Sequence, residues 1–172
     1  MSVGVQAETN IEVYKFYGGV IPGVTFLALV LQAFLNKDGS WSAYLELPLL
    51  ITIYFGLSRR NPSTGLLLGT VIGLLQDSIS HVPLGVFGIA KTCVGFVASS
   101  IGGRIDTDHP FARAILVFLF FHLQQVVLTI IERGLLNHPQ HFFTLKSLAG
   151  SGICVAGGFL LFPMLDRLRR PE

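Results

Sequence analysis

The sequence predicts an all-α polytopic membrane protein, a bundle of six transmembrane helices with both termini in the cytoplasm. The first reason is composition, because 51% of the residues are hydrophobic and 13% are charged, whereas soluble domains carry roughly 25% charged residues. The second reason is that apolar runs near the length of a bilayer crossing fill almost the whole chain of 172 residues. The third is the uneven distribution of basic residues between alternate loops.

Each helix is predicted from an apolar run, because a hydrocarbon core of about 30 Å requires about 20 apolar residues. The second predicted helix runs from Trp41 to Leu57, with Glu46 and Pro48 near its start. The third follows Arg60 and contains Asp77 near its end. The remaining four helices are predicted at residues 17–36, 84–103, 111–131 and 145–165.

Basic residues predict the orientation of these helices. If the arginine-rich tail lies in the cytoplasm, six helices place eight basic residues inside, three outside and Lys91 within a span. This bias is what the positive-inside rule expects of an even number of helices. The sequence therefore divides into a cytoplasmic arm at residues 1–14, a single transmembrane domain at 15–166 and a basic cytoplasmic tail at 167–172. The inner basic residues are Lys15, Arg59, Arg60, Arg104, Arg113, Arg167, Arg169 and Arg170, and the outer ones are Lys37, Arg133 and Lys146.

Small residues at regular spacing predict tight helix packing. In the third helix, three glycines lie four residues apart, which places them on one face. A face without side chains lets a neighbouring backbone approach closely, and membrane helices associate in this way. The fourth helix carries a similar face, and the spacing alone does not identify which helix each face contacts. The residues of the two faces are Gly65, Gly69, Gly73, Gly88, Gly95 and Ser99.

Asp77 and Lys91 are charged residues inside predicted helices and need partners. A charge within a span costs about 2.5–3.5 kcal/mol on insertion scales, which favours an ion pair or a wet cavity. In an antiparallel hairpin of the third and fourth helices the two side chains lean towards each other, so we expect them to pair directly or through water. The alternative is that Lys91 extends alone to the outer headgroups and Asp77 caps the turn.

Three further polar residues are expected in the bundle, one near its outer surface and two deeper within a span. Glu46 lies near the start of the second helix, and His122 and Gln125 share one face of the fifth. Polar residues within spans point into the bundle, where they bond across helices or line a small cavity. Together with Asp77 and Lys91, these residues form the predicted buried polar group.

Sequence motifs give no support for catalysis. No Ser-His-Asp arrangement or nucleotide fingerprint is present, and the glycines of the third helix lack the following Lys-Ser/Thr of a P-loop. The His and Cys residues do not have the spacing of a zinc site. A formal net charge of +2 is too small to suggest nucleic-acid binding. We therefore expect no catalytic, cofactor-binding or metal-ligating residues.

A resemblance to a known family lies in the third and fourth helices. Residues 65–96, GLLLGTVIGLLQDSISHVPLGVFGIAKTCVGF, resemble the central segment of the MreD family of rod shape-determining membrane proteins. That family shows a glycine-rich helix, an aspartate before a small-residue turn, and a Leu-Gly pair that opens the next helix. His81 and Lys91 depart from the family pattern, so a role of Lys91 is particular to this chain. The matching positions are Gly65, Gly69, Gly73, Asp77, Leu84 and Gly85.

The resemblance implies a non-enzymatic component of the bacterial elongation (Rod) complex in the inner membrane. Proteins of this family work beside MreC and link MreB filaments to the RodA glycosyltransferase and its transpeptidase partner, which maintains rod shape and organises lateral peptidoglycan synthesis. The fold is expected to be similar to the six-helix substrate-binding subunits of energy-coupling-factor transporters. The alternative function is therefore a vitamin-binding subunit of such a transporter, whose pocket would include Glu46, Asp77, Lys91, His122 and Gln125.

Overall fold

The computed structural model contains six α-helices that pack into a bundle. It describes residues 19–35, 45–59, 61–80, 83–102, 109–136 and 145–167. No strand occurs within these residues, so the predicted all-α class and the presence of six helices are confirmed. A π-helical turn at Glu132–Leu136 continues the fifth helix. The helices are α1 (Val20–Leu35), α2 (Leu47–Arg59), α3 (Pro62–Ser80), α4 (Val86–Gly102), α5 (Pro110–Ile131) and α6 (Leu145–Asp166).

Two helices are long and apolar enough to cross a bilayer by length and composition, at Pro110–Gly134 and Leu148–Asp166. Three others, α1, α2 and α4, are apolar but have 16, 13 and 17 residues. At about 1.5 Å per residue, these three are shorter than a hydrocarbon core of about 30 Å. The predicted number of helices is thus present, whereas length and apolar composition together identify two complete crossings.

Helix α2 lies at the centre of the bundle. Its residues from Leu47 to Ser58 are all buried, and it contacts each of the other five helices. A helix that is apolar on every side is buried when other elements surround it. The predicted start of this helix at Trp41 lies outside the described residues. Within them, α2 begins at Leu47 and has Pro48 in its first turn, where the missing N–H of proline is not needed.

The outer surface of the bundle is apolar. Phe26 on α1, Leu67 on α3 and Leu160 on α6 have exposed fractions of 68%, 63% and 77%. Water-soluble monomers rarely expose large contiguous surfaces of this kind. The outward-facing side chains are therefore suited to contact with the hydrocarbon of a bilayer.

Candidate functional site

The two small-residue faces pack against each other and make α3 and α4 an antiparallel hairpin. A Cβ atom added at Gly73 would lie 2.7 Å from Gly88 Cα, and one added at Gly69 would lie 3.0 Å from Thr92 Cα. These distances leave no room for a side chain, so the close approach of the two backbones requires glycine. The partner of each face, which the sequence left open, is thus the other helix of the hairpin. The α3 face consists of Gly65, Gly69 and Gly73, and the α4 face of Gly88, Gly95 and Ser99.

Asp77, near the end of α3, caps the N-terminus of α4. Its Oδ2 atom accepts hydrogen bonds from the N–H groups of Gly85 at 2.8 Å and Gly88 at 3.0 Å. Its Oδ1 atom accepts one from the N–H of Phe87 at 2.9 Å. The first N–H groups of a helix have no partner within the helix, and the helix dipole also favours a carboxylate there. Gly85 has a φ of +104°, which glycine adopts without strain.

Asp77→Ala should destabilise the protein more than Asp77→Asn. Asp77 is 1% exposed, so alanine would leave buried N–H groups without an acceptor, whereas asparagine keeps one oxygen. A hydrogen bond to a charged group contributes about 1.5–3 kcal/mol. We therefore expect a loss of about 3 kcal/mol or more for alanine and about half of that for asparagine, measured by thermal unfolding in detergent.

The matched control for this cap is Ser78→Ala. Ser78 lies on the exposed side of α3, and its hydroxyl donates to Leu74 O within the same helix. Surface substitutions of this kind change stability by about 0.5 kcal/mol or less. Equal losses for alanine at positions 77 and 78 would contradict the capping role.

Lys91 binds Glu46 and Gln124 in the interior of the bundle. Its Nζ atom lies 3.6 Å from Glu46 Oε2 and donates a hydrogen bond to Gln124 Oε1 at 3.1 Å. Gln124 Nε2 in turn donates to Glu46 Oε2. The centre of the Phe87 ring lies 4.9 Å from Nζ, within the range of a cation–π contact. We call Glu46, Lys91 and Gln124 the Glu46 network, and it joins the start of α2 to α4 and α5.

Asp77 and Lys91, predicted to pair directly or through water, are not in direct contact, and Asp77 instead caps the turn as in the alternative. Both oxygens of Asp77 are bonded to the backbone of α4, and Lys91 lies one turn further along that helix, where it reaches Glu46. Lys91 is completely buried, so it does not extend to the headgroups either, and the Glu46 side chain is 15% exposed. A carboxylate from another part of the bundle thus compensates the lysine charge, as intramembrane charges require.

Two further hydrogen bonds hold the start of α2. Gln32 Oε1 on α1 accepts one from the N–H of Leu47 at 3.0 Å, and the N–H of Glu46 donates to Cys154 Sγ on α6 at 3.4 Å. Without such partners, these N–H groups would be unpaired in apolar surroundings, which is unfavourable. Helices α1 and α6 are therefore tied to the same point as the Glu46 network.

On α5 the buried glutamine is Gln124 and not the predicted Gln125. Successive helical residues are rotated by about 100°, so neighbours face different directions. Gln125 and His122 are both half-buried, and His122 lies against the rings of Phe118 and Phe121. Gln124 falls on the face of the buried apolar residues, and this periodicity is the signal that identifies it. The buried apolar residues of α5 are Leu116, Val117, Phe120, Phe121, Leu128 and Ile131.

A second polar cluster, which the sequence did not predict, joins three helices at the opposite end of the bundle. Arg113 Nη1 on α5 donates to Asp166 Oδ2 on α6 at 2.6 Å, and the hydroxyl of Tyr54 on α2 donates to Asp166 Oδ1 at 2.9 Å. We call these residues the Asp166 cluster. Because 53 and 112 residues separate the partners along the chain, no local sequence pattern reveals the contacts.

A groove of about 440 Å³ lies between α1 and α3 on the outside of the bundle. Thr25 lines it and is 6% exposed, and its Oγ1 atom has no hydrogen-bond partner within the described residues. A polar atom without a partner is unfavourable in apolar surroundings. Because Thr25 itself is buried, the accessible walls of the groove are apolar and suit an apolar occupant. Its apolar lining includes Ile21, Phe26, Leu68, Val71, Ile72 and Leu75.

The chemistry of the two polar clusters is that of helix attachment. In the Glu46 network and in the Asp166 cluster, the charged and polar side chains bond to one another across helices. Within the described ranges, no three His, Cys, Asp or Glu side chains are placed to hold a metal ion. The two clusters hold α2 at its start, next to Glu46, and in its second half, through Tyr54.

Comparison with known proteins gives one match. The family model described as rod shape-determining protein MreD matches residues 15–164. The match covers most of the chain and includes residues 65–96, on which the predicted resemblance depends, so that prediction is confirmed. No curated protein and no solved structure matches the chain.

Proposed function

This chain belongs to the MreD family of rod shape-determining proteins, and we propose that it is a non-enzymatic scaffold of the bacterial elongation complex. It would act as a multi-pass protein of the inner membrane, in contact with MreC, and thereby connect MreB filaments with RodA and its transpeptidase partner. The family match over residues 15–164 is the observation that carries the proposal. The output of such a scaffold is the organisation of lateral peptidoglycan synthesis rather than a reaction of its own.

The proposed orientation has both termini in the cytoplasm. The Asp166 cluster groups the start of α5 with the ends of α2 and α6, whereas the Glu46 network lies at the other end of the bundle. Helices that cross the membrane in alternating directions produce this grouping, which supports the positive-inside assignment. The arm at residues 1–14 and the tail after residue 167 lie outside the described residues.

The groove between α1 and α3 supports a contact with the transmembrane helix of MreC. The accessible walls of the groove are apolar and belong to two helices. Partner helices commonly bind in apolar grooves of this kind. MreC would then lie beside Phe26 and Leu75, which are 68% and 45% exposed.

Depletion of the protein in its host tests the function. Cells are expected to lose their rod shape, and affinity-tagged protein is expected to co-purify MreC from detergent-solubilised membranes. Cells that remain rods after depletion, together with the absence of MreC from the purified material, would refute the scaffold function.

Photo-cross-linking tests the position of MreC. A benzophenone amino acid at Phe26 or Leu75, on the two sides of the groove, is expected to form a covalent adduct with MreC at least about tenfold more abundant than one at Leu160. That factor corresponds to a preference of about 1.4 kcal/mol for the groove. Leu160 is a suitable control because it is 77% exposed and lies on α6. Equal adducts at all three positions would refute the groove while leaving the MreC contact intact.

A further inference from the structure

A narrow cleft between α5 and α6 opens beside the Asp166 cluster. Its volume is about 80 Å³, and Arg113 is the only charged side chain among the described residues that line it. The remaining walls are apolar and belong to both helices. They include Pro110, Ala114, Val155, Phe159, Phe162 and Pro163.

The cleft runs from the end of the bundle towards its middle. Arg113 is in the first turn of α5, and Phe159 lies seven residues before Asp166, the last residue of α6. At about 1.5 Å per residue, the apolar walls reach about 10 Å into the bundle. The cleft is therefore charged at its mouth and apolar in its depth. A phospholipid has the same arrangement, with a charged headgroup and apolar acyl chains.

Arg113 is positioned to bind an anion at the mouth of the cleft. Its Nη1 atom donates to Asp166 Oδ2 at 2.6 Å, and its guanidinium carbon lies 5.9 Å from the centre of the Phe162 ring. A guanidinium presents five N–H donors in a planar fork, so it can contact a carboxylate and a phosphate at the same time. Arg59 and Arg167 lie at the same end of the bundle and add positive charge.

We propose that this cleft binds an anionic phospholipid, with its phosphate at Arg113 and part of one acyl chain between Ala114 and Phe159. Basic pockets between transmembrane helices on the cytoplasmic side recognise such headgroups. The proposal rests on the orientation given under the proposed function, because that orientation places Arg113 at the anionic inner leaflet. A soluble phosphate would leave the apolar part of the cleft unfilled, whereas an acyl chain fills it and makes van der Waals contacts with its walls.

Lipid addition to the full-length protein in a neutral detergent tests the proposal. Phosphatidylglycerol at about 100 times its Kd is expected to raise the melting temperature by about 5–10 °C. Phosphatidylcholine and inorganic phosphate should each give a much smaller rise, since the first lacks the net negative charge and the second lacks the chain. An equal rise with phosphatidylcholine or with inorganic phosphate would overturn the proposal.

Variants separate lipid binding from folding. Ala114→Phe fills the cleft and leaves the pair of Arg113 and Asp166 in place, so it should lose most of the rise caused by phosphatidylglycerol. Arg113→Gln should lose the rise as well, whereas Asp166→Asn removes a competing carboxylate and should keep or increase it. Arg133→Gln, at the other end of α5, is the control and should behave like the unaltered protein.

The outcome for Ala114→Phe decides the proposal even if Arg113→Gln fails to fold. A rise with phosphatidylglycerol as large in Ala114→Phe as in the unaltered protein would refute the cleft as the binding site. Cell shape and MreC co-purification are measured independently of this rise. A failure of the lipid site is therefore distinguishable from a failure of the proposed scaffold function.

Discussion

Gly69→Leu is expected to prevent stable assembly of the α3–α4 hairpin. A Cβ atom at this position would lie 2.7 Å from the carbonyl carbon of Lys91 and 3.0 Å from Thr92 Cα. These are backbone atoms, so they cannot rotate away as a side chain would. Overpacking costs typically about 1–3 kcal/mol and occasionally more, and we expect this substitution to exceed about 3 kcal/mol. In a protein of this length, that loss lowers the melting temperature by about 6–12 °C or prevents recovery of folded protein.

The effect of Gly69→Leu should extend beyond the hairpin, because the backbone of Lys91 is in contact with Gly69. A helix α4 displaced from α3 would move the Lys91 side chain away from Glu46 and Gln124, which hold it in the bundle. Gly69→Ala should therefore already be destabilising, since the first added carbon meets the backbone. The expected order of stability is glycine, then alanine, then leucine.

Gly152→Leu is the matched control for Gly69→Leu. Gly152 is an exposed helical residue of α6, and a Cβ atom there would meet nothing within 4 Å. We expect a change of about 0.5 kcal/mol or less. Leu67→Ala, at a position that is 63% exposed on α3, should be similarly mild. Melting temperature and monodispersity in one detergent measure all four variants, and equal losses at positions 69 and 152 would contradict the packing of the hairpin.

Glu46→Leu and Lys91→Met are each expected to destabilise the protein strongly, and the double variant is expected to recover most of the loss. Removal of one partner of a buried ion pair costs about 3–5 kcal/mol, because it leaves an uncompensated charge. Replacement of both partners by apolar residues is often neutral or stabilising. Glu46→Leu should be the more severe change, because the Lys91 side chain that it leaves is 0% exposed, whereas the Glu46 side chain is 15% exposed.

A double-mutant cycle in chemical or thermal unfolding measures this coupling. Residues in one polar network are expected to show an interaction energy of about 0.5–3 kcal/mol, and independent sites add within about 0.5 kcal/mol. The same cycle between Asp77→Asn and Lys91→Met should show the smaller coupling, because Asp77 bonds the backbone of α4. Additive losses at Glu46 and Lys91, or a stronger coupling of Lys91 to Asp77, would show that the ion pair is assigned to the wrong carboxylate.

Residues 65–96 show how far local pattern predicts this structure. The four-residue spacing of the glycines identifies a packing face, because the helical period alone determines which residues share a side. The prediction that Asp77 lies near the end of the third helix agrees with the observed end of α3 at Ser80. Residue spacing does not identify the carboxylate that pairs with Lys91. Asp77 and Glu46 both lie at the expected depth. Because both oxygens of Asp77 accept hydrogen bonds from backbone N–H groups at the start of α4, Glu46 is the carboxylate that pairs with Lys91.

Helix α5 shows a second limit of local pattern. The shared face of His122 and Gln125 predicted Gln125 as the buried residue, whereas Gln124 is the residue that enters the core. The Asp166 cluster and the short, central α2 were also beyond prediction, because they depend on contacts between residues far apart in the chain. The proposed groove and cleft belong to the same category, since each lies between two helices.

The amino-acid sequence by itself determined the solvent of this protein, the number of its helices, the faces that pack and the family to which it belongs. These properties follow from composition, from the helical period and from residues close together in the chain. Only the tertiary structure decided that Lys91 pairs with Glu46, that Asp77 caps α4 instead of pairing with Lys91, and that α2 occupies the centre. The physical reason is that a buried polar group is stabilised by whichever partner the packing of helices brings within hydrogen-bonding distance, and that packing is a property of the whole bundle.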